Sequence, residues 1–201
     1  MKLFTALWPP TEVTAALEAE LTGHPGWPPE GWRGVPRQCW HVSLCFHGTA
    51  EPGVLARRLE AAADGLAAPA LRLAGVVSFS GVTALRARPV GAPEAEALAA
   101  LVRAAGGDPA GFRGHVTVAR TARRRDAPPA RGPLAAHRGP WWRPSEVCLV
   151  HADAGAGTPR YAVLHRVPLT VPTAPPDALP ATRPEESMRR AGRGRSAPAG
   201  R

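Results

Sequence analysis

Lysine is almost absent from this 201-residue chain: Lys2 stands alone, and arginine supplies nearly all of the positive charge. Such a skew is the mark of GC-rich codons, pointing to a high-GC bacterium as source, as readily as of a chemical need. Cysteine is scarce as well. Three residues, Cys39, Cys45 and Cys148, are odd in number and form no dense framework, which argues against a disulfide scaffold. No apolar run reaches the length of a membrane-spanning helix. The opening "MKLFTALWPP" has one basic residue and an apolar stretch cut short by Pro9-Pro10, too short for a secretory leader. The expectation is a reduced, cytoplasmic protein with no membrane association. Neither type of glycine-rich nucleotide-phosphate loop is present.

What is there suffices for a core. Apolar residues make up 44% of the chain and charged residues only 20%. The net charge is +9, of which residues 172–201 carry +3, leaving +6 on residues 1–171. A basic body suits an anionic partner such as nucleic acid. Arginine-rich codon usage on an ordinary soluble protein gives the same number. From Pro172 onward the sequence is Pro, Ala and Arg with almost no large apolar side chain, which predicts a disordered tail. That tail either adds weak electrostatic affinity for RNA or is merely solvated. The organisation expected is one domain over 1–171 and a tail over 172–201.

Periodicity orders the elements. "KLFTALW" reads as a strand, and "TEVTAALEAELTG" as a helix with Val13, Leu17 and Leu21 on one face, capped by Thr11 and Gly23. A loop over 23–37 follows. "PGVLARRLEAAADGLAA" predicts a second helix with Val54, Leu55, Leu59, Ala62 and Leu66 inward. "ALRLAGVVSF" and "VTALRAR" predict a hairpin about Ser80-Gly81. "APEAEALAALVRAAGG" predicts a third helix, and "SEVCLVHA" and "RYAVLHRVPL" the closing strands. Strands that follow each other without a helix between them indicate an α+β fold with largely antiparallel sheets.

Two stretches share one pattern: "QCWHVSLCFHG" (Gln38 to Gly48) and "FRGHVTVAR" (Phe112 to Arg120). Each reads as a strand. In the first, Trp40, Val42, Leu44 and Phe46 alternate with Cys39, His41, Ser43 and Cys45. Residues i and i+2 of a strand share a face, roughly 6.6 Å apart. His41 therefore projects with Ser43, and His115 with Thr117, over apolar backs formed by Val42 and Leu44 and by Val116 and Val118. Two such strands side by side offer two imidazoles and two hydroxyls around one small volume. Phosphodiester hydrolysis without a metal needs that set: a base for the attacking water, an acid for the departing oxygen, and donors for the phosphate oxygens. His47-Gly48-Thr49 repeats the bare spacing at a strand end by chance. Alternation also puts Cys39, His41, Cys45 and His47 on one face. Yet Cys39 to His47 spans roughly 26 Å when extended, too far for zinc ligands without a sharp bend.

These two stretches, with the opening "LFTALWPP", resemble the paired His-x-Thr/Ser motifs of the 2H phosphoesterases, and among them the bacterial RNA 2′,3′-cyclic phosphodiesterases, also called 2′-5′ RNA ligases. The resemblance covers roughly residues 1–170. It implies two pseudo-symmetric α/β lobes around a central cleft. It also implies hydrolysis of RNA 2′,3′-cyclic phosphate ends to 2′-phosphomonoesters, with no metal or other cofactor, by a monomer. Carried onto this chain, His41 would protonate the leaving 3′-oxygen, His115 would activate water, and Ser43 and Thr117 would bind the phosphate. Pseudo-symmetry leaves the two histidine roles nearly interchangeable. Arg120 matches an arginine that often closes the second motif; strict alternation turns it away from the cleft, so it reaches the phosphate only if the strand bends. Ser43 stands where threonine is commoner, and His47, where an apolar residue is usual, reads as a surface substitution. Trp8, Trp32, Trp141 and Trp142 serve either as base platforms or as packing, and Trp40 as packing. The arginines of "RTARRRDAPPAR" either meet an RNA backbone or are solvated. The alternatives are a phosphodiesterase for a small cyclic nucleotide or an ADP-ribose-derived cyclic phosphate, and a non-catalytic RNA-binding module.

Overall fold

A computed structural model describes residues 2–79, 81–122, 132–153 and 160–172. The expected tail and most of the arginine-rich loop, with Arg123, Arg124, Arg125 and Arg131, lie outside the described residues. The elements run β1 (Lys2–Leu7), α1 (Thr11–Thr22), β2 (Arg33–Gly34), β3 (Val42–Gly48), α2 (Pro52–Ala63), β4 (Leu71–Phe79), β5 (Val82–Pro89), α3 (Ala92–Ala104), β6 (His115–Arg120), β7 (Glu146–Asp153) and β8 (Arg160–Pro168). The strands form one eight-stranded sheet in the order β4-β5-β6-β3-β1-β7-β8, with β2 also on β6. Every pairing between named strands is antiparallel, as the uninterrupted strand pairs imply.

The sheet is two half-sheets meeting at a seam. β3 and β6 pair through one residue couple, Val42 with Val116. On either side the same unit recurs: β1–α1–β3 in one half and β5–α3–β6 in the other, each with its histidine stretch beginning the second strand. The seam holds because its back is dry. Val42 and Val116 are fully buried in a core shared with Leu17, Leu59, Leu101 and Val102 from the three helices. Each such side chain contributes about 1.5–3 kcal/mol by leaving water.

Local differences from the periodic reading have local causes. Thr11 is the first helical residue, not the cap; Pro10 precedes the helix, and no side chain caps it. α2 stops at Ala63, where Gly65 at φ +70° turns the chain, so Leu66 lies beyond it. Only Leu59 and Ala63 of that helix are buried, and Val54 is exposed. The 23–37 loop contains the short strand β2, paired with Ala119 and Arg120. The β4–β5 hairpin is as expected, with Gly81 at φ +73° in its turn. No described helix is long and apolar enough to cross a membrane.

Candidate active site

The register at the seam sets the site. Val42 opposes Val116, so one step either way along the antiparallel strands places His41 across from Thr117 and Ser43 across from His115. All four occupy the face opposite the two valines. Directly opposed side chains lie about 4.5–5.5 Å apart at Cβ and diagonal ones about 7–8 Å. The imidazoles therefore take one diagonal and the hydroxyls the other, around an opening of phosphate size. All four line one cleft of about 1130 Å³. β3 begins at Val42, three residues later than the alternation from Cys39 predicts. A short 3-10 turn, Arg37–Cys39, leads into His41, and Trp40 is buried with its indole N–H donating to the Val35 carbonyl at 2.8 Å.

The two rings are held alike. Nδ1 of His41 lies 2.8 Å from the Cys39 carbonyl, and Nδ1 of His115 lies 2.6 Å from the Arg113 carbonyl, in each case two residues upstream. A carbonyl only accepts, so each Nδ1 carries a proton and donates it. That fixes the tautomer and leaves Nε2 of both rings for proton exchange. Neither the Ser43 nor the Thr117 hydroxyl has a hydrogen-bond partner among the described residues.

Their surroundings differ. His41 is packed by Phe4 (ring centroids 4.9 Å), Trp8 (5.3 Å) and Tyr161 (5.0 Å, edge-on). Among the described residues His115 touches a single ring, Phe79, at 5.0 Å. Burial in this wall pushes the His41 pKa down to about 4; the Cys39 carbonyl opposes the shift, and the charges of Arg120 and His115 add to it. With the cleft empty, His41 is neutral at pH 7. An anion between the rings supplies the missing counter-charge and favours the imidazolium. The expected result is that the His41 ring proton resonances titrate near pH 4 in the free protein and move to higher pH in inorganic phosphate. A midpoint near 6.5, unmoved by phosphate, contradicts the burial argument.

Arg120 reaches the cleft, and the reason is a bulge. In the β5–β6 ladder Thr83 pairs with Ala119 but Ala84 with Thr117, so Val118 is an extra residue on β6. The bulge reverses the parity of the strand, and Arg120 lines the same cleft as His115 and Thr117. β3 carries the same device: Thr5 pairs with Cys45 but Ala6 with Ser43. The simple alternation over 39–46 therefore fails past Leu44. Phe46 turns to the cleft side near Phe4 (6.0 Å), 77% exposed, while Cys45 packs on the core. Phe46 follows His41 at the spacing by which Arg120 follows His115.

The same bulge corrects two expectations. Cys45 and His47 do not share a face with His41. They adjoin each other (Sγ to Nδ1 3.8 Å) on the other side of the strand. His47 is partly buried, not a surface substitution, and its Nε2 bonds the hydroxyl of buried Thr5 at 2.8 Å. Among the tryptophans, Trp8 packs on His41 and Trp32 lines the cleft. Trp142 is core, and Trp141 lies beneath the Arg72 guanidinium at 4.5 Å. Phe4, Phe79 and Tyr161 escaped the sequence reading, since each comes from a distant strand. Phe46 escaped it too, because plain alternation groups it with Trp40, Val42 and Leu44.

The family model described as the 2′-5′ RNA ligase superfamily matches residues 9–156. No curated protein matches the chain. Among solved structures, E. coli LigT complexed with ATP aligns with a TM-score of 0.61 at 24% identity, covering 84% of this chain and 98% of that one. The protein TT0787 of Thermus thermophilus aligns at 0.59 with 26% identity, covering 84% and 97%. A structure described as a phosphoesterase aligns at 0.60 with 23% identity, covering 84% and 98%.

Proposed function

The chain belongs to the 2′-5′ RNA ligase superfamily, and on that premise we propose that it hydrolyses RNA 2′,3′-cyclic phosphate ends to 2′-phosphomonoesters without a metal. The observation that carries this is the diagonal pair of imidazoles, each tied through Nδ1 and lining one cleft with two hydroxyls. The solved structures of E. coli LigT with phosphate and with 3′-AMP show ligands of the matching class on this fold.

In the proposed reaction the cyclic phosphate sits between the rings, its non-bridging oxygens accepting from Ser43, Thr117 and Arg120. Nε2 of His115 takes a proton from water as the water oxygen bonds to phosphorus. The bond from phosphorus to the 3′-oxygen breaks, and Nε2–H of His41 delivers a proton to that oxygen. The products are a 2′-phosphomonoester and a free 3′-hydroxyl; one water is consumed, and the two rings exchange protonation states. Because His41 is neutral in the empty cleft, it acquires its proton with the anion. Donors aimed at the phosphate oxygens act strongly in a partly desolvated site.

The test is phosphorus NMR on a short RNA ending in a 2′,3′-cyclic phosphate, with excess chelator. The expected result is a single new 2′-monoester signal. A 3′-monoester, or activity only on adding metal, overturns the reading.

A further inference from the structure

The two walls of the cleft differ in chemistry. On the His41 side the centre of the cleft face of β1, β7 and β8 is apolar, Phe4, Ala6, Cys148 and Val150 forming a buried cluster against Trp8 and Tyr161, with Lys2 at its edge and an Arg166–Glu146 pair beside Cys148. On the His115 side the corresponding face of β4 and β5 carries arginines. Arg86 pairs directly with His115 across the β5–β6 ladder. Two residues along the same face, roughly 6.6 Å on, stands Arg88, directly opposite Arg72 on β4. Arg138 joins them through a strand bridge to Ala74. Beside His115, Arg86 and Arg113 line a second pocket of about 340 Å³, which shares His115, Phe79 and Arg113 with the main cleft.

Like charges directly opposed across a sheet destabilise it, and the crowding is felt. Burial lowers the Arg72 pKa, and the charges of Arg138 and Arg88 lower it further. Among the described residues Arg86, Arg88, Arg113 and Arg138 form no ion pair. Gly75, at φ +80°, makes room for the strip, because a Cβ there would come within 3.0 Å of the Arg88 guanidinium. A row of cations that repel one another and run from His115 along β5 and across to β4 suits a chain of anions.

We propose that this arginine strip is a phosphate track for the RNA 5′ of the cyclic end. The terminal nucleotide then lies against the apolar His41 wall, and the preferred substrate is an oligonucleotide rather than a mononucleotide. The proposal rests on the function proposed above, and its test reads binding, not turnover. The affinities of the full chain for a single-stranded RNA of about ten nucleotides ending in a 2′-phosphate, and for the corresponding 2′-mononucleotide, are compared across a salt series. The oligonucleotide is expected to bind at least about tenfold tighter, with a log–log salt slope steeper by about 0.7 for each phosphate engaged. Arg86→Glu and Arg138→Glu, both at exposed positions, are each expected to remove most of that advantage. Arg58→Glu, an equal charge change on exposed α2, is expected to leave it intact. Equal affinities for the two ligands, or an advantage lost equally in Arg58→Glu, overturn the track. Arginine-dependent length preference in a chain that opens no cyclic phosphate refutes the proposed reaction and keeps the track; hydrolysis without length preference does the reverse.

Discussion

Replacing either His41 or His115 with alanine is expected to lower turnover of a cyclic-phosphate-ended RNA about 1000-fold, while the dissociation constant for the 2′-phosphate product changes only several-fold. The separation of the two effects is the point. A positioned acid or base is worth about 10²–10⁴ in rate, whereas the phosphate keeps Ser43, Thr117 and Arg120, which share the cleft. The double variant is expected to be little slower than the worse single one, because a proton relay missing either member already fails and the effects do not multiply. Single-turnover rates with product-binding titrations check this. If both variants turn over substrate as the parent does, the two imidazoles are structural and the proton transfers belong to other groups. Conversely, a drop in rate matched by an equal drop in affinity means the rings bind phosphate rather than move protons.

Loss of Arg143 is expected to be the most damaging single change for stability, about 3–5 kcal/mol in Arg143→Met. Arg143 and Glu94 form a two-pronged pair at 2.8 and 3.0 Å, with side chains only 8% and 16% exposed. The same guanidinium donates to the Ala68 carbonyl at 2.5 Å, and the same carboxylate accepts the Ala70 N–H at 2.7 Å. The cluster thus joins the first turn of α3 to the chain entering β4. Removing the arginine strands a largely covered carboxylate, which costs more than an exposed pair is worth. Glu94→Gln combined with Arg143→Met is expected to recover a large part of the loss. Urea unfolding midpoints for the three variants check the ordering. Burial raises the Glu94 carboxyl pKa, but the Arg143 and Ala70 hydrogen bonds and the arginine charge outweigh it and hold the pKa below the ordinary value. Its stabilisation is therefore present above the unfolded carboxylate pKa and disappears as pH falls through the folded one. Glu94→Gln flattens the acid side of the stability profile. An unchanged midpoint in Arg143→Met removes the argument.

The histidine pairs were legible because two-residue periodicity states which side chains share a face, and His41, Ser43, His115 and Thr117 obey it. Legibility failed where a strand gained a residue. The bulges at Leu44–Cys45 and at Val118 depend on which residues of β1 and β5 lie opposite, and no local pattern records that. They decide the fate of Arg120 and Phe46, brought into the cleft, and of His47, taken out of it. The aromatic wall was hidden for another reason. Tyr161 meets His41 only because β8 lies beyond β7 and β1 in the sheet, a long-range fact of topology. The Asp64-Gly65 break that shortens α2 was present in the sequence and overridden by an apolar pattern running through it.

A repeated strand bearing the same ring, hung from the same backbone oxygen, begins as a pair of equals. Symmetry alone gives such a pair no forward or backward sense. Phe4, Trp8 and Tyr161 crowd one member and leave the other comparatively open, and this breaks the tie. In the proposed reaction, exchanging an aromatic neighbour would retune the timing of proton delivery and leave the repeated residues untouched.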